Sequence, residues 1–215
     1  MLLYSAIFKA KIHFRFIISL LFSFFISNYD GFSQFRNYLD PSRDPKFSFQ
    51  INPLRNSYIN PELTSNIHPK FNASLNPTFT SDINPTLNFT INPFGNTDLN
   101  PTFASNLNPN YNFQIVSFSN VEMYVYMFEE GVDTRSLKED DWEFTAVIYR
   151  TENSNVKIWI DADGNYSAFL VANGKGGFNV FSVDGDFLEI YLVSNKQGGY
   201  NIFSLKTTIW IGFTS

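Results

Sequence analysis

Few residues of this chain have side chains suited to chemistry. His68 is the one histidine beyond residue 33, and cysteine is absent altogether. Imidazole or thiolate metal sites and Ser/Cys–His catalysis therefore lack parts. The run Asp161-Ala162-Asp163-Gly164-Asn165 begins like a calcium loop, but position six is Tyr166 where that loop needs Gly, and position twelve is Ala172 where it needs Glu. The run therefore reads as a hairpin turn, with weak calcium binding as the alternative. Asp161, Asp163, Asp184 and Asp186 are the clustered carboxylates from which a glycosidase pair would have to be drawn; all four fall in expected tight turns, where acids are ordinarily solvated. Trp142, Trp159, Trp210 and the tyrosines offer either an aromatic platform for sugar rings or core packing. Asn72, Asn88 and Asn165 open Asn-x-Ser/Thr acceptor sequences. On these residues no catalytic, cofactor-binding or metal-ligating group is assigned.

The elements that would position any site are dominated by repeats. From Lys46 to Pro109 an eight-residue unit recurs without a slip, each copy closing on Asn-Pro or, once, on His68-Pro69. Ile or Leu stands two residues before every proline. Odd positions such as Phe47, Phe49 and Ile51 are mostly apolar and even positions mostly polar, an alternation that excludes a helix face and predicts short strands with one dry side. Proline confines each strand to the residues between Asn-Pro turns. A tight hairpin would want Gly just before the next strand, and Phe or Leu stands there except at Gly95 and Arg55. The expectation is thus a β-solenoid-like array over 46–115 with a column of stacked Asn. A hairpin meander and an extended spacer are the alternatives.

A second repeat, with period 22, follows. Ala146-Val147-Ile148-Tyr149, Ala168-Phe169-Leu170-Val171 and Ile190-Tyr191-Leu192-Val193 each lead through a turn into a return strand, as in GGFNVFS and GGYNIFS. With flanking segments at 121–128 and 208–213, about eight strands are expected in an antiparallel meander that closes as a small barrel or a sandwich over 116–215. Ser136-Leu137-Lys138-Glu139, a capping-box pattern, predicts one short helix.

At the start, Lys9, Lys11 and Arg15 precede the apolar run Phe16 to Ile26, and Gly31-Phe32-Ser33 supplies small residues at the two cleavage-determining positions. Residues 1–33 read as a signal peptide and 34–45 as a linker. The apolar run is too short for a spanning helix, so no membrane span is expected in the mature chain. Removing residues 1–33 takes away three Lys/Arg and one Asp, leaving 12 basic against 19 acidic residues and a net charge of −7. That charge argues against nucleic acid and anionic lipid as partners.

The tandem Asn-Pro octads behind a signal ending FSQ, with GGFNVFS and GGYNIFS hairpins, resemble uncharacterised exported proteins of the Bacteroidetes group. The resemblance implies a secreted or cell-surface location and carries over no site residues. The functional expectation is an exported structural or interaction protein, without enzyme activity or cofactor, whose array is a spacer or scaffold for a C-terminal β domain that binds an unknown protein or glycan. A carbohydrate-binding module, or a secreted carboxylate-dependent glycosidase, is the alternative.

Overall fold

Alternation of side chains is the reason residues 121–214 close on themselves. In the computed structural model, which describes residues 41–215, eight antiparallel strands form a closed barrel in simple sequence order. They are β1 (Val121–Phe128), β2 (Trp142–Arg150), β3 (Val156–Asp161), β4 (Tyr166–Ala172), β5 (Gly177–Ser182), β6 (Phe187–Ser194), β7 (Tyr200–Ser204) and β8 (Trp210–Thr214). β1 pairs with β8 through Tyr126 and Phe213, so no edge is left open. Inward residues such as Val125, Ile148, Leu170, Val180, Leu192 and Ile202 make one core cluster. Gly177 and Gly199 open the return strands β5 and β7 because nothing larger fits: a Cβ there would lie 2.2 Å from the Leu192 carbonyl oxygen and 2.6 Å from that of Thr214. The 22-residue hairpin repeats are accordingly the wall of a barrel rather than a sandwich.

The barrel core admits one charge. Lys157 points inward from β3, its Nζ 2.6 Å from Glu122 Oε2 and 5.1 Å from the Phe178 ring centroid. Carboxylate and ring together offset the desolvation of a buried ammonium.

The array corrects the strand expectation. No strand forms between residues 41 and 120; the backbone makes one turn or single 3-10 turn every four residues. The cause is a period of four inside the octad. Asn52, Asn56, Asn60, Thr64, His68, Asn72 and their successors occupy extended slots between turns, as at Asn72 (φ −123°, ψ 94°). From each slot the carbonyl accepts the amide of residue i+3, as in Arg55 N to Asn52 O at 3.1 Å; at most of the Asn slots Oδ1 also accepts that of residue i+2, as in Leu54 N to Asn52 at 2.9 Å, whereas Thr64, Thr80, Asn96 and Ala104 make no such side-chain bond. Side-chain bonding to the local backbone therefore outcompetes a ladder. The same amide's Nδ2 reaches back one octad: Asn60 to Pro53 O (3.1 Å), Asn92 to Pro85 O (2.7 Å), Asn108 to Pro101 O (3.1 Å). Asn joins successive octads through the backbone carbonyls, not through a stack of Asn on Asn.

Burial is also distributed otherwise than the odd-even rule predicts. Ile67, Ile83, Leu99 and Leu107 are buried with neighbouring Asn and Pro, whereas Phe47, Phe71, Phe79 and Phe103 are exposed. What receives the buried edge is the outer wall of the barrel, where Phe169 and Phe181 stack at 5.4 Å, Tyr191 and Phe203 at 5.8 Å, and none of the four is exposed by more than 1%. Asn179 Nδ2 donates to Ile83 O (3.0 Å) and Asn201 Nδ2 to Ile59 O (2.9 Å). One 22-residue barrel repeat is thereby matched to three octads. Leu39 to Ser215, array and barrel together, is one compact unit.

The signal-peptide expectation for residues 1–33 and most of the linker expected over 34–45 fall on residues 1–40, which lie outside the described residues. Pro41–Arg43 form a 3-10 turn, and the Arg43 carbonyl accepts from Tyr126 Oη (2.9 Å) and Ser215 Oγ (2.8 Å). The capping-box helix does not form. Asp133 caps Thr134–Ser136 as a single 3-10 turn, and Leu137, at φ −50° and ψ 143°, leaves helical geometry before another turn could be added. Among the described residues no helix is long and apolar enough to cross a membrane.

Candidate binding groove

His68 breaks the Asn-Pro register once, and beside it array and barrel loops enclose a groove. The imidazole copies half of what Asn does in that slot: its Nδ1 accepts from Lys70 N at 3.0 Å. It cannot reproduce the amide's donation to the preceding octad, and the ring instead packs between Phe71 and Phe203, 5.2 Å from each centroid. Because Nδ1 accepts, the hydrogen of the neutral ring sits on Nε2. Nε2 lies 4.0 Å from Glu62 Oε1, beyond hydrogen-bond length.

Glu62 is held by the loop that joins β1 to β2. Thr134 Oγ1 donates to its Oε1 at 2.6 Å, and Thr134 is placed by the Asp133 cap, whose Oδ1 accepts from Arg135 N at 3.1 Å. Opposite stands the β7–β8 turn, with Thr207, Thr208 and the half-exposed Ile209. These residues, together with Lys70, Phe71 and Arg135, line a half-open groove of about 440 Å³. Carboxylate acceptor, N–H donors, hydroxyls and apolar surface converge there, which is the composition of a small-ligand site.

Burial is the main influence on His68 and holds its pKa below the ordinary 6.5; Glu62 opposes the shift and Lys70 adds to it. The imidazole is therefore neutral at physiological pH. A depressed folded-state pKa means that the unfolded chain takes up the proton first. Stability contributed by the neutral ring is complete above pH 6.5 and is lost as pH falls below that value. His68→Asn should remove this loss, so that the fall in melting temperature between pH 7.5 and 5 is smaller for the variant than for the parent protein.

The residues that sequence singled out lie elsewhere. Asp161 Oδ1 accepts from Asp163 N (3.0 Å) and Asn165 N (2.8 Å) and so closes the β3–β4 turn; Asp184 and Asp186 are exposed in the β5–β6 turn. Among the described residues no three His, Cys, Asp or Glu side chains gather as a metal site would require. Trp142 and Trp210 are buried and Trp159 packs against the barrel core, so they make no platform. Glu62 and Thr134 escaped notice because 72 residues separate them and only docking joins them; the single signal in the sequence was His in a slot otherwise held by Asn.

No protein-family model, curated protein or solved structure matches the chain. The described residues form an all-β protein with a closed eight-stranded antiparallel barrel.

Proposed function

We propose that this is an exported, non-catalytic interaction protein in which a solenoid-like octad array acts as scaffold, bracing the barrel and completing with it a groove for a neutral glycan. The observation that carries the reading is the Glu62–His68–Thr134 constellation in that groove. A carboxylate fixed by one hydrogen bond keeps acceptor capacity for sugar hydroxyls, the Nε2–H of His68 supplies a donor, and Phe71 and Ile209 offer apolar surface to a ring face. Glu62 and Asp133 are balanced in the lining by Lys70 and Arg135, a composition that suits an uncharged ligand. Export rests on residues 1–33 and is tested separately by the N-terminus of the secreted protein.

Binding is tested on an array of neutral oligosaccharides, followed by calorimetric titration of any hit. Glu62→Gln and His68→Asn are each expected to weaken that binding by about tenfold, the cost of one good buried hydrogen bond to a charged or oriented partner. Unchanged affinity in both variants would remove the groove from consideration. Hydrolysis of the bound glycan that Glu62→Gln abolishes would convert the binding module into a glycosidase.

A further inference from the structure

The turn that walls the groove opposite Glu62 holds a residue that its own backbone disfavours. The β3–β4, β5–β6 and β7–β8 loops lie at the same end of the barrel and close by one device. In each, the last loop residue takes a positive φ and donates its amide to the carbonyl of the residue just before the loop. These residues are Gly164 (φ 89°, 2.9 Å to Asp161 O), Gly185 (φ 97°, 2.9 Å to Ser182 O) and Thr208 (φ 54°, 2.8 Å to Ser204 O). Glycine adopts such backbone without penalty. In any other residue Cβ is pressed against the following carbonyl oxygen, and a side chain branched at Cβ suffers most. Glu189 and Lys196 are the other non-glycine residues with positive φ among those described, and neither is branched at Cβ.

Turn closure does not ask for threonine. The two sister loops close with Gly, and Gly185 is also required by its surroundings, since a Cβ there would stand 3.1 Å from Phe94 and 3.2 Å from Asn100. The β7–β8 loop is one residue longer, Leu205 to Thr208 against Val183 to Gly185, and Thr207, Thr208 and Ile209 line the groove. Strain kept at a groove-lining position, in a turn whose sisters avoid it, points to use of the side chain. What that side chain offers follows from its bonding. Thr208 Oγ1 donates to Thr207 O at 2.7 Å, so toward a ligand it is an acceptor; branching restricts χ1 and holds the oxygen in that place. We propose that Thr208 is a specificity-determining residue of the groove, accepting a hydrogen bond from one ligand hydroxyl while Glu62 accepts from another across it. The assignment rests on the glycan-binding reading of the groove and narrows it: the ligand presents two hydroxyl donors, one to each wall, as a sugar diol does and the corresponding deoxy sugar does not.

Two measurements on the full mature chain test this: calorimetric titration with the tightest-binding neutral oligosaccharide, and thermal unfolding without ligand. Thr208→Val keeps the branched shape and removes the oxygen, and should weaken binding about tenfold. Thr208→Ser keeps the oxygen while freeing χ1, and should stay within about threefold of wild type. Thr208→Asn places a residue that tolerates positive φ in the turn, and should raise the melting temperature by about 2 °C or more. Among mono-deoxy forms of the oligosaccharide, one should bind wild type and Thr208→Val equally, which identifies the hydroxyl that Thr208 meets. Unchanged affinity in Thr208→Val, beside the expected loss in Glu62→Gln, leaves the groove in place and overturns the role of Thr208. A Thr208→Asn protein that melts no higher than wild type overturns it as well, because the position is then unstrained. If no neutral oligosaccharide binds, or if Glu62→Gln and His68→Asn both bind as wild type does, the glycan reading of the groove fails and the assignment of Thr208 falls with it.

Discussion

Ile83→Asp is expected to destabilise the protein by more than about 3 kcal/mol, because it sets a carboxylate without a partner in the seam between array and barrel and removes a well-packed side chain. Ile83 is 1% exposed, and its carbonyl is the one that accepts from Asn179. The adjacent Asp82 is exposed and stands 4.0 Å from Lys175, an arrangement worth less than about 1 kcal/mol in solvent. Asp82→Ser should therefore be nearly neutral. In thermal unfolding the first variant should fall by roughly 10 °C and the second by no more than about 2 °C, at the few degrees per kcal/mol that a domain of this size shows. Equal shifts would mean that the array does not bury its Ile positions.

The double change Asn179→Ala and Asn201→Ala should cost about 3 to 5 kcal/mol and detach the array before the barrel melts. Each side chain is the donor to a buried array carbonyl, at 3.0 Å for Ile83 and 2.9 Å for Ile59. Losing a donor leaves that carbonyl desolvated and unpaired, at about 1 to 3 kcal/mol apiece. The two sites are three octads apart and do not share a partner, so their costs should add. Amide hydrogen exchange distinguishes this from general softening: protection should drop at 52–109 while β4 to β7 stay protected. Uniform loss across the chain would contradict array docking through these two residues. An array acting as a free spacer would show no effect at 52–109 at all.

Both predictions depend on contacts that cross between two differently periodic segments, and the two segments were unequally readable. In the barrel, period-two alternation, Gly-Gly turns and the 22-residue spacing determined eight strands and their antiparallel order, because a strand's inward and outward faces are written residue by residue into local sequence. β2 through β7 lie where the hairpin repeats put them. In the array, alternation was present but misleading. Asn or an equivalent at every fourth residue is compatible both with strands bounded by Asn-Pro corners and with continuous turns, and the choice falls to local side-chain hydrogen bonds that alternation does not record. The capping box at 136–139 failed likewise, since Asp133 capped a turn three residues earlier.

The candidate groove was almost wholly beyond the sequence. His68 stood out as an exception in a column of Asn, a local fact. That it meets Glu62, that Thr134 fixes Glu62, and that Phe203 closes the other side of the imidazole are consequences of wrapping the array on the barrel. The asparagine of GGFNVFS and GGYNIFS was visible as part of a motif. Its purpose was not, because its partner carbonyls lie 96 and 142 residues away. By itself the sequence determined the elements whose periodicity is carried within one strand pair, and the location of one anomalous residue. The tertiary structure decided which edge of the array is dry, since burial there depends on a surface that the array does not itself supply: the aromatic outer wall of the barrel.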